Sequence, residues 1–307
     1  MTKHSSIVPR GSLLERAADI YDFGAALRGR AAPPVEIPDD LPPAPPTYAP
    51  EPDAPAVTSP AALRAPDWTG PIHAVDRQLL ADGGFLQPDG PVTALSEEYR
   101  VLKRALLAQL ADNARGNRVL VCSAHSGEGK TFSAINLALS LAAEKDHEVL
   151  LIDADVGKPS IPQALGLTAG PGLMDALADP AIAIEDCILR TDIPSLAILP
   201  AGQRSNNDTE YLSSSRTEAL LTHLTQGRPD RIILFDSPPL LAASAAAVLA
   251  SHAAIALLVV RADSTPESAL REAAALLKGA AQVQLMLNGV RFATGDRRFG
   301  SYYAKEG

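Results

Sequence analysis

The stretch Asn117–Leu139, NRVLVCSAHSGEGKTFSAINLAL, decides how this chain reads. Val119, Leu120, Val121 and Cys122 form a short apolar run suited to a central parallel strand. Ala134, Leu137, Leu139 and Leu141 then mark a helix that starts at Lys130. Between the two lies SGEGKT. Gly127 and Gly129 let the backbone turn its N–H groups inward, and the helix start adds the positive end of its dipole. Lys130 supplies a cation and Thr131 a hydroxyl for Mg²⁺, the chemistry that holds a nucleoside triphosphate such as ATP. Ser126, Glu128 and Phe132 complete the candidate cofactor-binding loop. Ala124 stands where the G-x-x-x-x-G-K-[ST] pattern has its first glycine, a position less critical than the Gly-Lys pair.

The chain has 307 residues, enough for one large α/β domain with extensions, and its 46% hydrophobic content supports a substantial core. A net charge of −9 without a broad basic run argues against nucleic acid as a partner, because affinity for a phosphate backbone comes mainly from Lys and Arg. Cys122 and Cys187 lack metal-ligand spacing and fit a reducing cytoplasm. The apolar stretch Ala242–Val260 is interrupted by Ser244, Ser251 and His252 and divides into a helix and a strand more naturally than it makes a membrane span. The N-terminus lacks the apolar core of a secretion signal. These features predict a soluble cytoplasmic protein that meets the inner membrane through a partner.

Four regions are expected. Residues 1–30 hold an amphipathic segment, Ser12–Arg28, whose apolar face packs either on its own domain or on a partner. Residues 31–71 are a Pro-rich flexible linker. Residues 72–290 alternate apolar runs with helical patterns, and residues 291–307 form a mobile tail. Strands are predicted at 118–122, 148–152, 196–199, 231–235, 255–260 and 283–287, with helices at 96–111, 130–144, 242–251 and 266–278. The expected fold class is α/β, a P-loop NTPase fold with a mainly parallel central sheet flanked by helices on both faces. Ligands then bind at the carboxyl ends of the strands.

Two acidic motifs end apolar strands there: VLLIDAD with Asp153 and Asp155, and RIILFDSPP with Asp236. One or two such carboxylates beside Thr131 would complete a Mg²⁺ site, since Mg²⁺ takes oxygen ligands and keeps several waters. In order, SGEGKT, LIDADVGKPS and LFDSPPLL resemble the Walker A, A′ and B motifs of the bacterial tyrosine kinases, and the resemblance covers nearly all of the chain after Ile72. Within that family it is most similar to the tyrosine autokinases of exosortase-linked exopolysaccharide loci.

The resemblance implies transfer of the ATP γ-phosphoryl group to tyrosines, chiefly in the tail of a neighbouring subunit. Lys130, Asp153, Asp155 and Asp236 become the catalytic set. Thr131, Asp155 and Asp236 would hold the metal; Asp153 either helps deprotonate the incoming tyrosine or belongs to the metal shell. Asn288 resembles an adenine-contacting asparagine, or caps the next turn. Tyr302 and Tyr303 in RRFGSYYAKEG are the phosphoacceptors, against the alternative of a neutral tail. Glu97, Arg100 and Lys103 match an oligomerisation pattern for a homo-oligomer, with lysine in place of the last arginine. Ser126 replaces a usual proline, and Gly157 an arginine whose charge Lys158 supplies one position on. Implied partners are a transmembrane polysaccharide co-polymerase (chain-length determinant) as activator and a protein-tyrosine phosphatase that resets the tail. Two other readings are a MinD/ParA-type ATPase switch, whose signature lysine is His125 here, and an ATP-binding regulatory subunit without catalysis.

Overall fold

The computed structural model describes residue 65 and residues 67–111, 113 and 116–290. The amphipathic N-terminal segment, most of the linker, and the tail with Tyr302 and Tyr303 lie outside the described residues.

Eight strands form one sheet in the order β1-β4-β5-β3-β6-β2-β7-β8. They are β1 (Ile72–His73), β2 (Arg118–Ser123), β3 (Glu148–Asp153), β4 (Leu189–Thr191), β5 (Leu196–Leu199), β6 (Arg231–Asp236), β7 (Ile255–Arg261) and β8 (Gln282–Asn288). Neighbours pair in parallel except β4 with β5. β2 and β6 are buried along their whole length, as two-sided cover by helices requires of their Val, Leu and Ile runs.

Alternate residues of each strand serve opposite layers. Leu120 and Cys122 pack in one layer with α5 (Leu173–Ala178), α7 (Ser215–Thr225), α8 (Ser244–His252) and α9 (Glu267–Leu276). Val119 and Val121 pack in the other with α1 (Arg77–Asp82), α2 (Ala94–Leu110), α3 (Lys130–Ala142) and α4 (Ile161–Ala164). A further short helix, α6 (Asp208–Ser213), buries Leu212 in the first layer. The expected α/β class with helices on both faces is the one observed. The apolar stretch 242–260 resolves into α8 and β7, and no helix among the described residues is long and apolar enough to cross a membrane.

The packed structure takes in residues assigned above to the linker. Ala65 is buried and its N–H donates to the Gln226 carbonyl at 2.6 Å, while the Trp68 ring lies 3.6 Å from the Arg231 guanidinium carbon. Composition alone hid this, because the attachment depends on a buried arginine far along the chain.

Gly172 precedes α5 where a side chain has no room. A Cβ there would meet the Pro200 oxygen at 2.1 Å and the Gly202 nitrogen at 2.4 Å, both backbone atoms. Gly172→Ala is therefore expected to destabilise the fold by about 2–3 kcal/mol, read as a lower urea midpoint with an unchanged slope.

Candidate active site

β3, β6 and β2 are consecutive in the sheet and end at the same edge. Register sets Asp236 beside Asp153 on one side and Val121 on the other. The phosphate loop follows β2 directly. Gly127 and Gly129 take left-handed conformations, φ +81° and +99°, that few other residues adopt. Gly129 caps α3 with no side-chain hydrogen bond, so the helix start is left open to a ligand.

The predicted catalytic side chains converge on this loop. Lys130 Nζ lies 2.8 Å from Asp155 Oδ2 and 3.3 Å from Thr131 Oγ1. Thr131 Oγ1 donates to Asp236 Oδ2 at 2.6 Å. Asp153 Oδ2 accepts from the Ser160 and Ile161 N–H groups at 2.8 and 2.9 Å, which fixes the carboxylate and anchors α4. Asp153 and Asp236 are fully buried, and Oδ1 of each has no hydrogen-bond partner.

Burial pushes the Asp236 carboxyl up to about 7, against the Lys130 charge and the Thr131 hydrogen bond, with Asp153 and Asp155 adding to the rise. Burial also raises Asp153, partly offset by the backbone N–H groups that bind it. Two buried carboxylates with orphaned oxygens beside a threonine hydroxyl suit a hard divalent cation. Among the described residues no three His, Cys, Asp or Glu side chains gather into a cage. The residues present thus fit an ion that draws its other ligands from phosphate and water.

The other candidates divide. Ser126 and Gly127 are exposed on the loop, and so is His125. The Phe132 ring stacks on Phe85, with centroids 5.3 Å apart, so its side chain is used in packing. Glu128 is buried with both carboxylate oxygens engaged: it accepts from the His125 N–H at 2.9 Å and from Thr265 Oγ1 at 2.5 Å. Asn288, at the end of β8, donates from Nδ2 to the Glu128 carbonyl at 2.9 Å.

Lys103, expected on α2 beside Glu97 and Arg100, is turned inward. It is buried, donates to the Ser140 carbonyl at 2.8 Å and pairs with Glu144 at 2.6 Å. Arg100 pairs with Glu97 on the same helix. The charge spacing suggested one exposed face, but α3 lies against α2, with Ser140 on that helix and Glu144 just past its C-terminal end as the lysine's partners.

Arg261 and Thr265 also touch the loop and were not anticipated. Their signal was position: Arg261 ends an apolar strand and Thr265 follows it at the sheet's carboxyl edge, where the acidic motifs fall.

A protein-family profile described as an AAA domain matches residues 117–289, more than half of the chain, which belongs to that family. The tyrosine-protein kinase YwqD of Bacillus subtilis is 31% identical over 175 residues, 57% of this chain and 72% of YwqD. The chain belongs to the bacterial tyrosine-protein kinases. The putative tyrosine-protein kinase EpsB of Ralstonia solanacearum is 35% identical over 185 residues, 60% of this chain and 24% of EpsB, so this bacterial tyrosine kinase chain spans about a quarter of that relative's length. Among solved structures, the VpsO kinase domain superposes with a TM-score of 0.53 at 31% identity, covering 63% of this chain and 98% of that domain. The phosphate loop lies within the matched region, and membership of this P-loop kinase family implies use of a nucleotide.

Proposed function

We propose that this chain is an ATP-dependent protein-tyrosine autokinase that phosphorylates Tyr302 and Tyr303 in the tail of a neighbouring copy and thereby regulates exopolysaccharide synthesis and export. The observation that carries this reading is the linked set at the strand ends: Lys130 on Asp155, Thr131 on Asp236, and Asp153 beside Asp236 in register.

In this reading the loop N–H groups and Lys130 hold the β- and γ-phosphates. Thr131, Asp155 and Asp236 would hold Mg²⁺ directly or through water, and the ion would supply charge to offset the phosphates. The tyrosine hydroxyl attacks the γ-phosphorus, the bond to the ADP oxygen breaks, and ADP leaves. The phenol proton passes to Asp153, needed because a phenol of pKa about 10 is mostly protonated at neutral pH. The two backbone N–H groups on Asp153 Oδ2 hold the carboxylate in place, and Oδ1 is the acceptor. Asn288 holds the Glu128 carbonyl of the loop and is the candidate adenine contact.

Tail phosphorylation in trans calls for assembly, which Glu97 and Arg100 on α2 would support; Lys103 contributes by fixing α2 on α3. The proposed activator is the cytoplasmic part of a transmembrane polysaccharide co-polymerase, which brings the kinase to the cytoplasmic face of the inner membrane. A protein-tyrosine phosphatase reverses the modification.

The test is incubation with γ-labelled ATP and Mg²⁺, with and without that co-polymerase segment, comparing the unaltered chain with a Tyr302→Phe, Tyr303→Phe double variant. Base-stable label on the unaltered chain, lost in the double variant, is the expected result. ATP hydrolysis without label would point to a switch ATPase, and nucleotide binding without either reaction to a regulatory subunit.

A further inference from the structure

The phosphate loop is gripped from outside by the ends of β7 and β8. Arg261 Nη1 donates to the Gly127 carbonyl at 2.8 Å, and Asn288 Nδ2 donates to the Glu128 carbonyl at 2.9 Å. A trans peptide points its C=O and N–H in opposite directions. Holding the Gly127 carbonyl outward therefore turns the Glu128 N–H inward, and holding the Glu128 carbonyl outward does the same for the Gly129 N–H. These are donors that an anion in the loop would use.

Thr265 ties the grip together. Its hydroxyl accepts from the Arg261 N–H at 3.0 Å and donates to Glu128 Oε1 at 2.5 Å. The other Glu128 oxygen accepts the His125 N–H at 2.9 Å. A free carboxylate in an anion-binding loop would repel phosphate, but Glu128 is buried with both oxygens engaged and serves as a strut between the loop and the β7–α9 connection. The β7 and β8 ends are themselves joined, because the Ala262 N–H donates to the Asn288 carbonyl at 2.8 Å.

We propose that Arg261 and Thr265, with Asn288, are positioning residues that aim the Glu128 and Gly129 N–H groups at the nucleotide phosphates. This rests on the proposed ATP site. Neither Arg261 nor Thr265 belongs to the three phosphate-site motifs, and Arg261 is exposed, so changing it leaves the core intact.

The test measures binding of fluorescent N-methylanthraniloyl-ADP with Mg²⁺ to the full chain, alongside the melting temperature without nucleotide. Arg261→Met and Thr265→Val are each expected to weaken binding about tenfold, the scale of one lost hydrogen bond in a polarised network. Thr265→Ser, which keeps the hydroxyl, is expected to restore binding to within about twofold. The nucleotide-free melting temperature of Arg261→Met should equal that of the unaltered chain, which separates aim from stability. If Thr265→Val lowers the melting temperature, Arg261→Met decides the matter. Binding by both variants equal to that of the unaltered chain would overturn the positioning role and leave the ATP site standing. An unaltered chain that binds no ADP would overturn both.

Discussion

Replacing Lys130 by methionine is expected to lower label transfer to the tail by roughly 10²–10³-fold, the usual effect of deleting one preorganised charge at a phosphoryl-transfer site. The side chain lies at the loop mouth on Asp155, at 2.8 Å, with both partners largely buried. In the proposed mechanism, phosphate oxygens arriving in the loop take over as the counter-charge of the ammonium. Methionine keeps the stem's bulk and removes the charge. It also leaves Asp155 buried without its cation, so a stability loss of about 1–2 kcal/mol should accompany the loss of activity. Single-turnover label transfer and a denaturant curve on the same sample check both effects. Wild-type transfer rates in the variant would remove Lys130 from the mechanism.

The largest stability effect is expected at Arg231, at the opposite end of β6 from Asp236. Its guanidinium is fully buried, bonds Glu148 through Nε and Nη2 at 3.1 and 3.0 Å, donates to the Leu224 carbonyl at 2.8 Å and lies against the Trp68 ring. Arg231→Ala removes these contacts together and opens a void beneath the indole. Glu148 is spared full isolation by Arg228 at 2.5 Å, which keeps the cost near the lower end for a broken buried pair, about 3 kcal/mol. For a domain of this size that is a fall in melting temperature of about 6–12 °C. Trp68 is the sole tryptophan of the chain, so its emission should shift to the red as the ring loses its seat. An unshifted spectrum with unchanged melting would show that the segment at Trp68 is held by other contacts.

Much of the site was legible because its chemistry is local. Glycines, lysine and threonine sit within one loop, and each acidic motif follows an apolar strand that can be read without its neighbours. Strand ends were read one residue short: Ser123, Asp153 and Asp236 continue β2, β3 and β6 because backbone pairing does not stop where side chains become polar, as the Asp153–Asp236 register shows. Short elements such as β1, β4 and α4 through α6 escaped because they span too few residues for a period to emerge. Lys103 and Glu144, Arg261 and Gly127, and Trp68 and Arg231 are contacts between distant parts of the chain. No spacing rule within one element reports them; they depend on which helix or strand the topology brings alongside.

The most direct test of the central claim mixes two chains. A Lys130→Met chain with an intact tail serves as acceptor, and a chain with Tyr302→Phe and Tyr303→Phe but an unaltered phosphate loop serves as enzyme. ATP and Mg²⁺ are added, and the tail peptides are read by mass spectrometry. Phosphate on Tyr302 or Tyr303 of the Lys130→Met chain is the predicted result. ATP consumed while both tyrosines stay unmodified, with and without the co-polymerase segment, would contradict the account.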